Sequence, residues 1–264
     1  MDSIKGLFTH ILTAGSMALE GQRNMCFSER DYKEDGSVVT DVDKKLEVFL
    51  SEKIAALYPA SNILAEETSH IFDADKPFTF VIDPIDGTDV FSQDMAGWSI
   101  SVGLLDKRLK PIAGFVYAPR LELFFFADIA CPATFNGADI SMPSKSDLVT
   151  PGLNLMVPSR VHQQVDLGRF PGKIRSIGSA ALHLCFPLIY HGVFGAVESR
   201  GTLIWDIAGS HAINRSLGFD LEYLNNHPIN YSAMTDGSPA GDIILAGSPE
   251  RIKTLRDMLS EIVL

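Results

Sequence analysis

FTFVIDPIDGTDVF, residues 78–91, joins an apolar run to a tight acidic turn, and this junction governs the reading of the whole chain. Phe78, Phe80, Val81 and Ile82 have strong β propensity and are bounded by Pro77 and Pro84, which predicts a buried strand ending at Asp83. Pro84 fixes φ and removes a backbone donor, so the chain turns there and delivers Asp86 close to Asp83. Two carboxylates in one small volume repel each other unless a cation lies between them, and hard oxygen ligands around a tight turn suit Mg²⁺. Gly87 lets the backbone approach a ligand, and Thr88 brings a hydroxyl and an amide to a helix start, a favourable place for a phosphate. The competing reading is a turn whose two acids merely cap a helix.

Composition narrows the classes of function. The chain has 264 residues, 46% hydrophobic and 21% charged, enough for a sizeable core in one large domain or two lobes. A net charge of −11 argues against a nucleic-acid partner, and an acidic protein that binds phosphate needs metal ions to do so. Cys26, Cys131 and Cys185 show no paired spacing, so neither a disulfide framework nor a zinc knuckle is expected, and a reducing cytoplasm fits. Near the N-terminus, Ile4, Leu7, Phe8, Ile11 and Leu12 share a helical face, which reads as an amphipathic helix rather than a signal peptide or membrane span.

Taken in order, residues 20–37 are polar and read as a loop or hairpin with a mobile tip. Residues 37–43 then lead into a helix with Leu46, Phe49, Leu50, Ile54 and Leu57 towards a core. Asp41 suits the positive helix end, and Asp43 beside it is held open for function. Ile63 to Ala65 form a brief strand ending at Glu66 and Glu67, of which one faces the Asp83 and Asp86 pair. Runs at 99–105, 112–117 and 121–127 predict an antiparallel meander, with Phe124 to Phe126 in the sheet core. Residues 131–152 read as the boundary between lobes, placed at 1–140 and 141–264. Beyond it strands alternate with helices: a strand at 153–157, a helix after Ile177-Gly178-Ser179-Ala180 reaching Tyr190, and a strand ending at Glu198. A helix opened by Trp205-Asp206 stops at Gly218, and a strand at 243–246 precedes a last helix carrying Ile252, Leu255, Met258, Leu259 and Ile262. The P-loop spacing is absent, Ser210-His211 lacks a nucleophile elbow, and the seven histidines show no ligand spacing and read as structural or surface residues.

Asp83-Pro84-Ile85-Asp86-Gly87-Thr88, Glu66-Glu67 and Trp205-Asp206-Ile207-Ala208-Gly209 occur in this order, with Val39-Thr40 through Asp43 and residues 174–181 in register. With them the sequence resembles the inositol monophosphatase family of metal-dependent phosphatases over nearly its whole length. The resemblance implies an α/β (α+β) fold, a layered α-β-α-β-α sandwich, usually a homodimer, with Mg²⁺ between the lobes. It assigns Glu66, Asp83 and the Ile85 carbonyl to a first ion, Asp83, Asp86 and Asp206 to a second, and Glu66 through water to a weaker third. Thr88 with Asp43 would orient the attacking water, the Gly87 and Thr88 amides would hold phosphate, and Gly178, Ser179, Ala180 and Glu198 would meet the rest of the substrate. Ala65 before the glutamates, Asp89-Val90 after Thr88, and Glu198 with Arg200 in the loop before Asp206 depart from the common pattern and bear on substrate choice. The expected activity is Mg²⁺-dependent hydrolysis of inositol monophosphate or a similar polyol phosphate. Fructose 1,6-bisphosphate, histidinol phosphate and 3′-phosphoadenosine 5′-phosphate are alternatives, and a catalytically silent scaffold is the alternative of another class.

Overall fold

The computed structural model describes residues 4–25, 31–32, 38–68, 71–129, 131–141 and 149–262. Among them are six α-helices: α1 (Phe8–Asn24), α2 (Asp41–Leu57), α3 (Thr88–Ser92), α4 (Ala180–Cys185), α5 (Ile204–Ser216) and α6 (Pro249–Met258). None is long and apolar enough to cross a membrane.

Strict alternation builds the larger sheet. In the strand Phe78–Asp86, Phe80 and Ile82 join the core on one face and Val81 the core on the other. Ser61–Ala65 runs parallel to it, and Ser99–Asp106, Pro111–Ala118 and Leu123–Asp128 follow antiparallel as the predicted meander. The sheet then continues through Cys131–Phe135 and Ala138–Asp139 to seven strands. The start of the segment read as a boundary is therefore sheet. Its Pro132 is tolerated near the edge, where a missing donor costs little. Residues 142–148 lie outside the described set.

A second sheet runs in the order Lys173–Arg175, Asn154–Met156, Val193–Glu198, Ile244–Gly247, Asp220–Tyr223, parallel in its first two pairings and antiparallel in the rest. Its strands alternate too: Ala196, Ile244 and Ala246 face α4 and α5, while Phe194, Val197 and Leu245 face Ile252 and Leu255 of α6. The layers are thus α1 with α2, the seven-stranded sheet, α4 with α5, the five-stranded sheet, and α6, which is the layered sandwich that the family resemblance implied. α5 sits on the larger sheet at backbone range. A Cβ on Gly114 would lie 2.2 Å from the Gly209 carbonyl oxygen, and one on Gly103 2.6 Å from Ala208 Cβ.

Several expectations are corrected at element ends. α1 continues past Glu20 to Asn24 because Gln22 is buried and donates to the Phe91 and Met95 carbonyls at 2.9 and 3.0 Å. The hairpin after it exists as Asp31–Tyr32 paired with Val38–Val39; its tip and Cys26 lie outside the described residues. Leu12 and Leu57 are 44% and 47% exposed. The buried stripe runs from Ile4 and Leu7 of the preceding 3₁₀ turn through Ile11, Ala14 and Ala18 of α1 and bypasses Leu12, and after Ile54 the next inward place is taken by Tyr58, the residue that caps α2, whose ring lies 4.9 Å from that of Phe80. α4 ends at Cys185 and tightens into one 3₁₀ turn, Phe186–Leu188, because Pro187 has no N–H to continue it. α6 ends at Met258, and Ser260–Glu261 pairs with Val165–Asp166, so Ile262 leaves the helix and donates its N–H to Gln164 at 2.9 Å.

Candidate metal and phosphate site

The pairing of Phe78–Asp86 with Ser99–Asp106 slips between Asp83 and Asp86, where Pro84 offers no donor. Such a slip bends the strand and re-aims side chains. Asp206 joins them from the first turn of α5, its Oδ2 accepting the Leu203 N–H at 2.6 Å. One oxygen from each of Asp83, Asp86 and Asp206 lies within 4.8 Å of the others. The three are held very differently. Asp86 accepts from the Ser179 hydroxyl, from the Ala181 and Ala180 amides at 2.8 and 3.0 Å, and weakly from Ser99 at 3.3 Å. Asp83 is 1% exposed, and its Oδ1 is buried with no hydrogen bond among the described residues. Leaving a buried acceptor unpaired costs about 1–3 kcal/mol, more when it is charged.

Electrostatics follow from that crowding. Burial pushes the Asp83 carboxyl well above the carboxylate range, and the charges of Glu66, Asp86, Asp206 and Asp43 push it further. Asp206 is raised likewise, by burial and then by Asp86. Asp86 rises to about 6 through burial, its hydrogen bonds from Ser179, Ala181 and Ala180 only partly offsetting it. The cluster is a set of hard oxygen donors with one orphaned atom, and it fits a divalent cation such as Mg²⁺.

Asp43 stands beside it, fully buried in the first turn of α2. Its Oδ2 accepts from the Thr40 N–H at 2.9 Å and from the Thr40 hydroxyl, closing a capping box. Its Oδ1 is 3.0 Å from Thr88 Oγ1, whose single proton also has the Ile85 carbonyl at 2.9 Å. Burial raises Asp43 to about 7 against its two threonine hydrogen bonds, with Glu67 and Glu66 adding to the rise. Asp41, one turn-face away, is exposed, as its role at the helix end predicts.

Gly87 takes φ +94° and opens α3, whose first amides have no partner inside the helix. A Cβ there would stand 3.3 Å from Gly178 and Ser179 backbone atoms, so the two loops meet at glycine. Gly178 itself takes φ +121°, and the Ser179 N–H donates to Gly97 at 2.9 Å. The predicted substrate-facing group is thus next to the acids, with the polar atoms of Ser179 and Ala180 engaged by Asp86. Glu198 is 2% exposed at the end of its strand and near enough to raise Asp86 and Asp206. Arg200 is engaged instead by Glu261, and its N–H by Gln164 at 3.0 Å.

Two functional neighbours escape sequence reading. Glu47 is 1% exposed and accepts from the Glu67 N–H at 2.6 Å and the Thr68 hydroxyl at 2.5 Å, fixing the bend that presents Glu66. His183 is 1% exposed and bonded to Glu198. The only signal for Glu47 is an acid on the apolar stripe of α2; none marks His183. The cap at Thr40 was not read from the sequence either, although the spacing Thr40-x-x-Asp43 carries its signal.

Converging carboxylates beside helix-start amides make a site suited to a divalent cation and a phosphate group. The model of the inositol monophosphatase family matches residues 5–248, and the chain belongs to that family, whose members are metal-dependent enzymes that hydrolyse phosphate monoesters. Among curated relatives, Nus factor SuhB of Vibrio cholerae is 28% identical over 94% of this chain and 92% of its own length. Inositol-1-monophosphatase of Synechocystis is 29% identical over 75% and 70%. Among solved structures, an inositol monophosphatase of Thermotoga maritima superposes with TM-score 0.77 at 22% identity, covering 97% of this chain and 98% of that one.

Proposed function

We propose that this chain hydrolyses inositol monophosphate or a related small polyol or sugar phosphate, using Mg²⁺ held by Glu66, Asp83, the Ile85 carbonyl, Asp86 and Asp206. The observation that carries the reading is the buried Asp83 Oδ1, without a hydrogen bond among the described residues, in a carboxyl group within reach of two further carboxylates. Bound Mg²⁺ supplies the Lewis acidity that polarises a phosphoryl oxygen and makes water a nucleophile near neutral pH. The chain's own groups do the rest. Thr88 Oγ1, donating to Asp43 Oδ1, turns its lone pairs to a water and relays that water's proton towards Asp43. The Gly87 and Thr88 amides hold phosphate oxygens, and Gly178, Ser179, Ala180 and Glu198 border the alcohol.

Two lobes, 1–140 and 141–264, suit this chemistry, since Asp83 and Asp86 come from the first and Asp206 from the second. A homodimer and a cytoplasmic setting belong to the same proposal, and sedimentation and fractionation test them. A second reading, removal of a phosphate from 3′-phosphoadenosine 5′-phosphate, is favoured by the 27% identity to the 3′(2′),5′-bisphosphate nucleotidase CysQ of Buchnera aphidicola over 83% of this chain and 84% of its own. The test is phosphate release with and without Mg²⁺ from inositol 1-phosphate, fructose 1,6-bisphosphate, histidinol phosphate and 3′-phosphoadenosine 5′-phosphate. Preference for the first supports the proposal, preference for the last the second reading, and no release from any contradicts both.

A further inference from the structure

His183 and Glu198 form a buried pair that the phosphate chemistry leaves unexplained. His183 Nδ1 lies 2.8 Å from Glu198 Oε1, and both side chains are almost fully enclosed. The other ring nitrogen decides the proton. His183 Nε2 is 3.1 Å from the Ile177 N, and a backbone N–H only donates, so Nε2 carries the lone pair. The proton of the neutral ring is therefore on Nδ1 and is donated to Glu198. Neither Glu198 oxygen has another hydrogen bond among the described residues, so Oε2 keeps its acceptor capacity.

The same ring spans two parts of the site. Through Ile177 it pins the segment entering Gly178 and Ser179, whose following amides grip Asp86. Through Nδ1 it fixes a carboxylate that would otherwise be repelled by Asp86 and Asp206, whose charges it feels and whose pKa values it raises. A single N–H anchors one oxygen, which leaves the other oriented and with its acceptor capacity unused. We propose that His183 is a positioning residue for substrate specificity: it holds Glu198 Oε1 so that Oε2 accepts a hydrogen bond from a hydroxyl on the alcohol part of a polyol phosphate. The proposal rests on the phosphatase reading above, which already sets Glu198 beside the alcohol, and adds the residue that orients that carboxylate.

The test uses the full chain and separates the two ring contacts. In His183→Asn the side-chain N–H falls where Nδ1 was and keeps the bond to Glu198. In His183→Gln the side-chain oxygen falls where Nε2 was and keeps only the bond from Ile177. Steady-state KM is measured for inositol 1-phosphate and for 4-nitrophenyl phosphate, whose alcohol has no such hydroxyl. The ratio of the two KM values is expected to rise about tenfold in His183→Gln, the scale of a hydrogen bond to a charged group, and to stay within about twofold in His183→Asn. Equal changes in KM for both substrates, or a ratio unmoved in His183→Gln, overturns the proposal. Long-range ¹⁵N correlation of the His183 ring in the wild-type chain is expected to show the Nδ1–H tautomer; an Nε2–H tautomer overturns it independently of turnover. If the wild type releases phosphate from neither ester with Mg²⁺, the polyol-phosphate reading itself falls, whereas release with an unmoved ratio defeats only the role of His183.

Discussion

Two polar groups of α5, the half-buried Asp206 and the buried His211, meet opposite fates. At its start, Asp206 joins Asp83 and Asp86, carboxylates facing carboxylates, with an orphaned oxygen at the centre. Farther along, His211 bonds Asp220 at 2.6 Å through Nε2 and the Tyr231 hydroxyl at 2.9 Å through Nδ1, so each group has its partner. Burial pushes the first acids up, whereas at Asp220, where burial also pushes up, the His211 hydrogen bond and charge hold the carboxyl below its usual range. His211 itself is lowered by burial. The same helix thus takes part in a finished network at one place and an unfinished one at the other. An unfinished network is where a ligand belongs.

The comparison can be broken most forcibly at Asp83. Asp83→Asn removes an anionic ligand, and the expected loss in Mg²⁺-dependent kcat is on the order of 10³-fold, the scale of losing a group that stabilises transition-state charge. Its melting temperature without metal should not fall, since one like charge has left the cluster; a near-normal rate would reject the metal assignment. His211→Ala is the mirror experiment. It strands Asp220 and the buried Tyr231 hydroxyl, so denaturant unfolding should show a loss of about 2–4 kcal/mol while kcat of the folded fraction stays close to wild type. Gly114→Ala presses on the Gly209 carbonyl and so on the seat of α5. A loss of about 1–3 kcal/mol is expected, together with weaker Mg²⁺ binding as Asp206 shifts.

The smallest effect is one of pH. Asp43 and Asp86, raised to about 7 and about 6, bind protons more tightly folded than unfolded. Stability of the metal-free chain is therefore fullest below the unfolded carboxylate range near pH ~4 and declines as pH rises through about 7. Melting measured in chelator should fall by a few degrees between pH 5.5 and pH 8, and saturating Mg²⁺ should close the gap. An upward slope in chelator would contradict the acid cluster as drawn.

Much of this was legible because it is local. Apolar, β-prone runs bounded by turn residues at 78–86 and through the meander announce the larger sheet, and Trp205-Asp206 with Gly218 brackets α5 almost to the residue. Acids at a strand end before Pro84 and at a helix start reveal donors without requiring the fold. What was missed depends on distant partners. Cys131–Phe135 pairs only because Leu123–Asp128 offers it an edge, Tyr58 displaces Leu57 by meeting Phe80, and Ile262 is drawn from α6 by Gln164. His183 and Glu198 are fifteen positions apart on a helix and a strand end, so nothing in their spacing couples them. Nor does any motif show that Asp83 lacks a partner while Asp86 has several; that contrast appears only when the loop 177–181 closes on one of them.

The most direct measurement is calorimetric titration of Mg²⁺ into the metal-free chain at pH 6 and pH 8, repeated in buffers of different ionisation enthalpy. Ions entering a cluster of protonated carboxyls must displace protons, so binding should be tighter at pH 8 and should release protons at pH 6. Affinity that does not change with pH, with no proton release, would show that the carboxylates of Asp83, Asp86 and Asp206 do not form the metal site.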